Sequence, residues 1–241
     1  MSLWIEKLIP VNKFSRPGIK VNSVKKIVNH YTANPGASAY NHFKYFSNLK
    51  DRYASAHIFV DKAEAYLIIP LDEVAYHAND GSYRGVPELK PNANFKSIGV
   101  ELCIERDGSF HPETIRRAEE INAELCKMFN LDPLRDIVRH YDVTRKNCPA
   151  RWVKYPQEFK DFKNRVNSII KFNGVVDVQE EDDNVVTLHE WQWNMLGDVY
   201  LKAHKDGILD KVDWSKKAYQ KKLNQSEIGF LNAVILMKKG K

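Results

Sequence analysis

Residues 97–104 run Ser97-Ile98-Gly99-Val100-Glu101-Leu102-Cys103-Ile104. Aliphatic side chains fall on every second position, the period of an extended strand whose successive residues point to opposite faces. Ile98, Val100, Leu102 and Ile104 therefore share one face, with Gly99, Glu101 and Cys103 on the other. That places the Glu101 carboxylate away from the aliphatic layer. It is either a group held for chemistry or an ordinary exposed strand carboxylate.

The neighbouring segments set this strand in an α/β frame. Pro112 suits a first helical position, and Ile115, Ala118, Asn122, Leu125, Cys126 and Phe129 form a mostly apolar stripe running to about Asn130. Residues 24–30 and 136–140 read as strands, and each ends in a histidine, His30 and His140. Residues 56–60 and 65–69 read as strands around the polar turn Asp61-Lys62, and 37–50 as a helix carrying Tyr40, Phe43 and Phe46. Pro156 opens a further helix with Phe159, Phe162, Val166, Ile169 and Ile170 on one side, stopped by Asn173-Gly174. Residues 78–96, rich in Asn, Gly and Pro, form a long loop of the kind that often lines a site. Alternating strands and helices predict an α/β domain over 1–172, a central mixed β-sheet flanked by helices.

Beyond it, residues 177–183 hold five acids and no base, an acidic linker within 173–183. Residues 184–241 predict a small C-terminal all-helical domain. Its first helix carries Leu188, Trp191, Met195, Val199 and Ala203, and its second Trp214, Ala218 and Tyr219. A third, with Ile228, Leu231, Val234 and Ile235, follows a cap at Asn224 or Ser226.

Composition narrows the classes. With 11 Phe, 11 Tyr and 5 Trp among 241 residues, the chain has too much apolar surface to stay disordered. No stretch approaches the roughly 18–20 apolar residues of a membrane span. Three cysteines are too few, and odd in number, for a disulfide framework. The net charge of +6 sits in two basic bodies either side of the acidic strip, which suits an anionic partner, nucleic acid or a cell-envelope polymer, or only a solvated surface. The N-terminus shows no basic segment followed by an apolar run, so no export signal is expected.

His30, His140 and Cys148 come from strand ends and a nearby loop, Arg145-Lys146-Asn147-Cys148-Pro149, that one sheet edge can gather. Two imidazoles and a thiolate suit Zn²⁺ and leave a fourth position open, the mark of a catalytic rather than a structural zinc. Position alone also admits core or surface histidines and a small buried thiol, which is the reading for Cys103 and Cys126. Cys148 differs in lying beside Arg145 and Lys146, cations that favour thiolate.

Five segments occur in order: Ile-Val-Asn-His30-Tyr-Thr-Ala-Asn34, Ser-Ala-His57-Ile-Phe-Val-Asp, Ala-Tyr-His77-Ala, Ser-Ile-Gly-Val-Glu101-Leu, and Val-Arg-His140-Tyr-Asp-Val-Thr-Arg-Lys146-Asn-Cys148-Pro. Together they resemble the zinc-dependent N-acetylmuramoyl-L-alanine amidases of the type 2 family, which include phage lysozyme-like amidases and peptidoglycan recognition proteins. The resemblance spans about residues 20–172 and implies hydrolysis of the amide between N-acetylmuramic acid and the first L-alanine of the stem peptide. It puts His30, His140 and Cys148 on Zn²⁺, Glu101 at the catalytic glutamate and Lys146 at the oxyanion-stabilising lysine. Asn34, His57 and His77 are candidates for contact with peptidoglycan. Some relatives carry a catalytic tyrosine just before His57; here that position is Ala56, so the work falls to Glu101.

The C-terminal helices are expected to target an anionic or other wall polymer, or to dimerise. The implied protein is a phage or prophage endolysin, cytoplasmic until release, acting at the cell wall with no nucleic-acid partner. A non-catalytic peptidoglycan receptor and a zinc peptidase of the stem peptide are the alternatives.

Overall fold

A computed structural model describes residues 2–174, 188 and 190–239. The acidic strip at 177–183 lies outside the described residues. Two compact units emerge, one within residues 1–176 and one within 177–241.

Among the described residues the larger unit is built on six strands: β1 (Ile5–Glu6), β2 (Lys26–Tyr31), β3 (Ile58–Val60), β4 (Ala65–Leu67), β5 (Ser97–Leu102) and β6 (Ile137–Arg139). They lie in the order β1-β4-β3-β5-β2-β6, and only the β3–β4 pair is antiparallel. The sheet is mixed, as expected. Its helices are α1 (Ala39–Ser47), α2 (Pro112–Phe129), α3 (Pro133–Asp136), α4 (His140–Thr144), α5 (Ala150–Lys154) and α6 (Pro156–Gly174). His140 thus opens a short helix directly after β6 rather than closing the strand.

Each face of the sheet has its own core. Ile27, Ile98, Val100 and Leu102 pack with Ala118, Ile121 and Leu125 of α2 and with Phe159, Phe162 and Val166 of α6. On the opposite face, Phe59, Tyr66 and Cys103 pack under Ala39, Phe43 and Phe46 of α1. Further along that face Val28 is covered by Ala78, Leu89 and Ala93 of the 78–96 loop and by Val143 of α4. His30 and Glu101 lie on this second face, between α1 and the loop.

Two polar devices hold the strands that carry the site. Asn29 and Asn122, both fully buried, exchange amide hydrogen bonds (2.9 and 3.2 Å), which locks α2 against β2 one residue before His30. At the other end of β2, Lys26 donates to Asp136 (2.8 Å), the residue before β6, and both side chains are buried. This ion pair aligns the two strands that deliver His30 and His140.

The smaller unit holds α7 (Glu190–Lys205), α8 (Asp213–Tyr219) and α9 (Gln225–Lys239). Trp193, Tyr200, Ala203, Ala218, Leu223, Leu231 and Ile235 form its core, with Trp214 and Ile228 packed against it. The stripe expected through Met195 and Val199 is corrected: they are 52% and 43% exposed, and Trp193, Leu196 and Tyr200 face inward instead. The aromatic rings decided the helix's rotation because each buries more apolar area than the aliphatic alternatives. Asn224 is the cap of α9: its Oδ1 accepts from the Glu227 N–H (2.7 Å), and Glu227 Oε2 accepts from the Asn224 N–H (3.1 Å).

Asp136→Asn tests the strand clamp. Stranding a buried charge costs about 3–5 kcal/mol, and the low end is expected because Lys26 keeps Glu88 at 3.2 Å. Arg135 beside it, and then Lys26, hold the Asp136 carboxyl well below the usual carboxylate range. A depressed folded value contributes stability that is whole above the unfolded pKa of about 3.9 and lost as pH falls through the folded one. Urea unfolding should therefore show a large wild-type advantage over the variant at neutral pH that shrinks in acid.

Candidate metal centre and catalytic site

Parallel pairing of β2 with β5 sets His30 opposite Glu101, side chains on the same face. β6 pairs on the other side of β2, and His140 follows its last residue. The chain then turns at Arg145, whose positive φ of 68° ends α4, and Tyr141 N–H donates to the Cys148 carbonyl (2.9 Å). That closure folds the Cys148 loop back over the start of α4. His30, His140 and Cys148 are all buried, and their ligand atoms lie within 4.8 Å of one another.

The hydrogen bonds decide which atoms face inward. His77 Nε2 meets the Ser97 carbonyl (3.3 Å), which can only accept, so its proton sits on Nε2 and its Nδ1 is bare. That Nδ1 accepts from His30 Nε2 (3.1 Å), leaving His30 Nδ1 bare and 3.8 Å from Cys148 Sγ. On the other side His140 Nε2 donates to Asp80 Oδ1 (2.6 Å), which leaves His140 Nδ1 bare as well. Gly99 makes room for this relay, since a Cβ there would stand 2.7 Å from the His77 ring.

Electrostatics agree with a cation site. Burial, reinforced by His140, His77 and Lys146, holds His30 well below the ordinary imidazole value; burial also lowers His140, against the pull of Asp80. Both are neutral near pH 7, the form that binds metal. Burial pushes the Cys148 thiol up despite Lys146. The expected thiolate preference from the neighbouring cations is therefore corrected: at 4% exposure, desolvation outweighs Lys146.

Glu101 is also raised, to about 8, by burial, with Lys146 acting against it. Its Oε2 is out of solvent and has no hydrogen-bond partner among the described residues. Two bare imidazole nitrogens and a thiol gathered within 4.8 Å of one another are what a cation would satisfy. Tetrahedral zinc bonds of about 2.0–2.3 Å set donors roughly 3.4–3.7 Å apart, close to the Sγ–Nδ1 separation of 3.8 Å. The residues fit the metal.

The remaining candidates fall in different places. Lys146 Nζ lies at the rim, 3.2 Å from Asp80 Oδ2. His77 stands behind His30 and also lines a cleft of about 380 Å³ with Tyr53, Tyr76, Asn79, Asp80 and Lys146. His57 is fully buried, and both ring nitrogens are engaged by backbone, with Gly99 N–H at 3.0 Å and the Glu73 carbonyl at 2.9 Å. No ring nitrogen of His57 is left to face a ligand. Asn34 is exposed in the loop after β2, and among the described residues no side-chain hydrogen bond joins it to the site. Cys103 and Cys126 are buried, free thiols in the two cores. Asp80 was missed from the sequence; its only signal was membership of the 78–96 loop.

The fold and site define a class: a mixed-sheet α/β scaffold with a three-residue candidate cation pocket and a strand carboxylate whose Oε2 is out of solvent. The family model described as N-acetylmuramoyl-L-alanine amidase matches residues 20–151. The chain is 52% identical over 250 residues to N-acetylmuramoyl-L-alanine amidase BlyA of Bacillus subtilis (strain 168), covering 100% of this chain and 67% of that protein. It is 52% identical over 169 residues to a probable N-acetylmuramoyl-L-alanine amidase of Bacillus licheniformis, covering 69% of this chain and 48% of that one, so it spans about half that relative's length. Among solved structures, a mutant endolysin from Bacillus subtilis superposes with a TM-score of 0.57 at 33% identity, over 69% of this chain and 99% of that one. The chain belongs to the N-acetylmuramoyl-L-alanine amidase family.

If Cys148 closes the cation pocket, Cys148→Ser should bind zinc more weakly than wild type by at least tenfold, since a hydroxyl is a poorer donor than thiolate. Elemental analysis after dialysis against a chelator reads this directly. Equal metal content would remove Cys148 from the ligand set.

Proposed function

We propose that this chain hydrolyses the amide between the lactyl group of N-acetylmuramic acid and the first L-alanine of the stem peptide, with Zn²⁺ held by His30, His140 and Cys148. The observation that carries the reading is the buried, partnerless Glu101 oxygen on a strand in register with the ligand His30. The chemistry zinc supplies when bound is Lewis acidity, which polarises the scissile carbonyl and makes water nucleophilic near neutral pH.

The protein's own groups handle the proton and the charge. Glu101 takes a proton from the attacking water at a carboxylate oxygen and returns it to the departing alanine nitrogen. Burial brings its pKa to about 8, within reach of both the accepting and the donating form near neutral pH. The Lys146 ammonium at the rim faces the negative charge that grows on the carbonyl oxygen; one such donor is worth about 3–4 kcal/mol of barrier. The cleft lined by Tyr53, Tyr76 and Asn79 receives the polymer beside these groups.

Likeness to an endolysin supports a wall-degrading role of phage or prophage origin, exercised at the cell wall on release from the cytoplasm. No helix among the described residues is long and apolar enough to cross a membrane. The helical unit, rich in lysine, is read as a module that holds the enzyme to an anionic or other wall polymer, with dimerisation as its other use.

Digestion of purified walls should release free L-alanine amino termini without new reducing sugar ends. Termini at another peptide bond would mark a stem-peptidase, and none a receptor. Glu101→Ala should retain zinc and lose about 10²–10⁴-fold in turnover, while a near-normal rate would exclude Glu101 from the reaction. Full-length chain should sediment with walls and a version ending at residue 174 should not; equal sedimentation would refute targeting by the helical unit.

A further inference from the structure

We propose that Asp80 is a positioning residue of this site: one carboxylate oxygen fixes the tautomer of His140 and the other tethers the Lys146 ammonium beside the cation pocket. The proposal rests on the reading of His30, His140 and Cys148 as zinc ligands. Asp80 Oδ1 accepts from His140 Nε2 at 2.6 Å, and Oδ2 lies 3.2 Å from Lys146 Nζ. An ionised carboxylate only accepts, so the imidazole proton is held on Nε2 and the Nδ1 lone pair is aimed inward. A bond this short to a charged acceptor is of the stronger class and fixes ring orientation as well as tautomer.

The two histidines are thus set by different means. His30 is held from behind by a neutral relay through the buried His77 to the Ser97 carbonyl. His140, 2% exposed, is held by an anion that is itself 48% exposed, at the mouth of the pocket. The second device also touches Lys146, the group assigned to the charge growing on the carbonyl oxygen. Asp80 therefore couples the geometry of a metal ligand to the position of the charge that stabilises the reaction.

The loop that carries Asp80 is anchored on both sides. Asn94 Oδ1 accepts from the backbone N–H groups of His77 (3.1 Å) and Ala78 (2.8 Å), fixing the chain just before Asp80. Beyond it, Gly85 N–H donates to the Val143 carbonyl (3.0 Å) in α4. The backbones approach so closely there that a Cβ on Gly85 would sit 2.1 Å from the Asp142 oxygen. Arg84 donates to the Gly81 carbonyl (2.8 Å) and braces the turn between. The carboxylate is thereby presented to α4 and the Cys148 loop from a second, independent part of the chain.

The test uses the full chain as wild type, Asp80→Ala, Asp80→Asn and Cys148→Ser, each stripped of metal and titrated with zinc against a chromophoric chelator. Asp80→Ala should weaken zinc binding about 10–100-fold, and the cobalt-substituted protein should show an altered visible spectrum. Asp80→Asn keeps an oxygen for His140 Nε2 but cannot hold the ammonium. It should bind zinc within about threefold of wild type while kcat falls as far as in Lys146→Ala, and the double variant should fall no further. A merely structural Asp80 would lower the melting temperature of the metal-free protein and leave zinc affinity and the cobalt spectrum unchanged, which overturns the proposal. So does an additive Asp80→Asn/Lys146→Ala double variant. A wild type that takes up no zinc overturns the ligand assignment instead, whereas zinc binding lost in Cys148→Ser but kept in Asp80→Ala sinks Asp80 alone.

Discussion

Parallel pairing of β2 with β5 on one side and β6 on the other is the constraint from which the site follows. Parallel strands run their carboxyl ends to the same edge, so His30, Glu101 and the residue after β6 arrive there together. Register then sets Glu101 directly beside His30, and a slip of one residue would turn the carboxylate into the aliphatic layer. The Asn29–Asn122 amide pair and the Lys26–Asp136 ion pair guard that register, because slippage would strand buried polar groups.

Around this edge, the site keeps its ligands in the form a cation needs without using charge inside the core. Both imidazoles are neutral through burial and aimed by hydrogen bonds to their outer nitrogens. The thiol and the Glu101 carboxyl are raised by the same desolvation. Family membership and the donor set agree: an amidase whose buried His30, His140 and Cys148 are consistent with a metal site.

The helical unit follows a simpler rule. Its core is closed by aromatic and aliphatic side chains, with Trp193 and Tyr200 buried and the lysines of α8 on the outside. Trp193 and Trp214 therefore serve packing first. Lys217 lies over the Trp214 ring, 5.0 Å from its centroid, a cation–aromatic contact of that unit.

Much of the architecture was legible in short periods. Alternation in residues 97–104 exposed β5 and the facing of Glu101, and the histidines closing two strand patterns pointed to one sheet edge. The α7 stripe was misread because Met195 and Val199 share the helical period with Trp193, Leu196 and Tyr200, and periodicity cannot rank competing faces. The Cys148 ionisation was misread because neighbours in sequence supply charge, whereas burial is supplied by segments far away. By itself, then, the sequence determined the α/β layering, the identity of the three ligand candidates and the carboxylate beside them, since strand and helix periods are local properties. Only tertiary structure decided the protonation states, the inward nitrogens, the backbone engagement of His57 and the partnership of Asp80 with His140, because each depends on groups tens of residues apart meeting out of water.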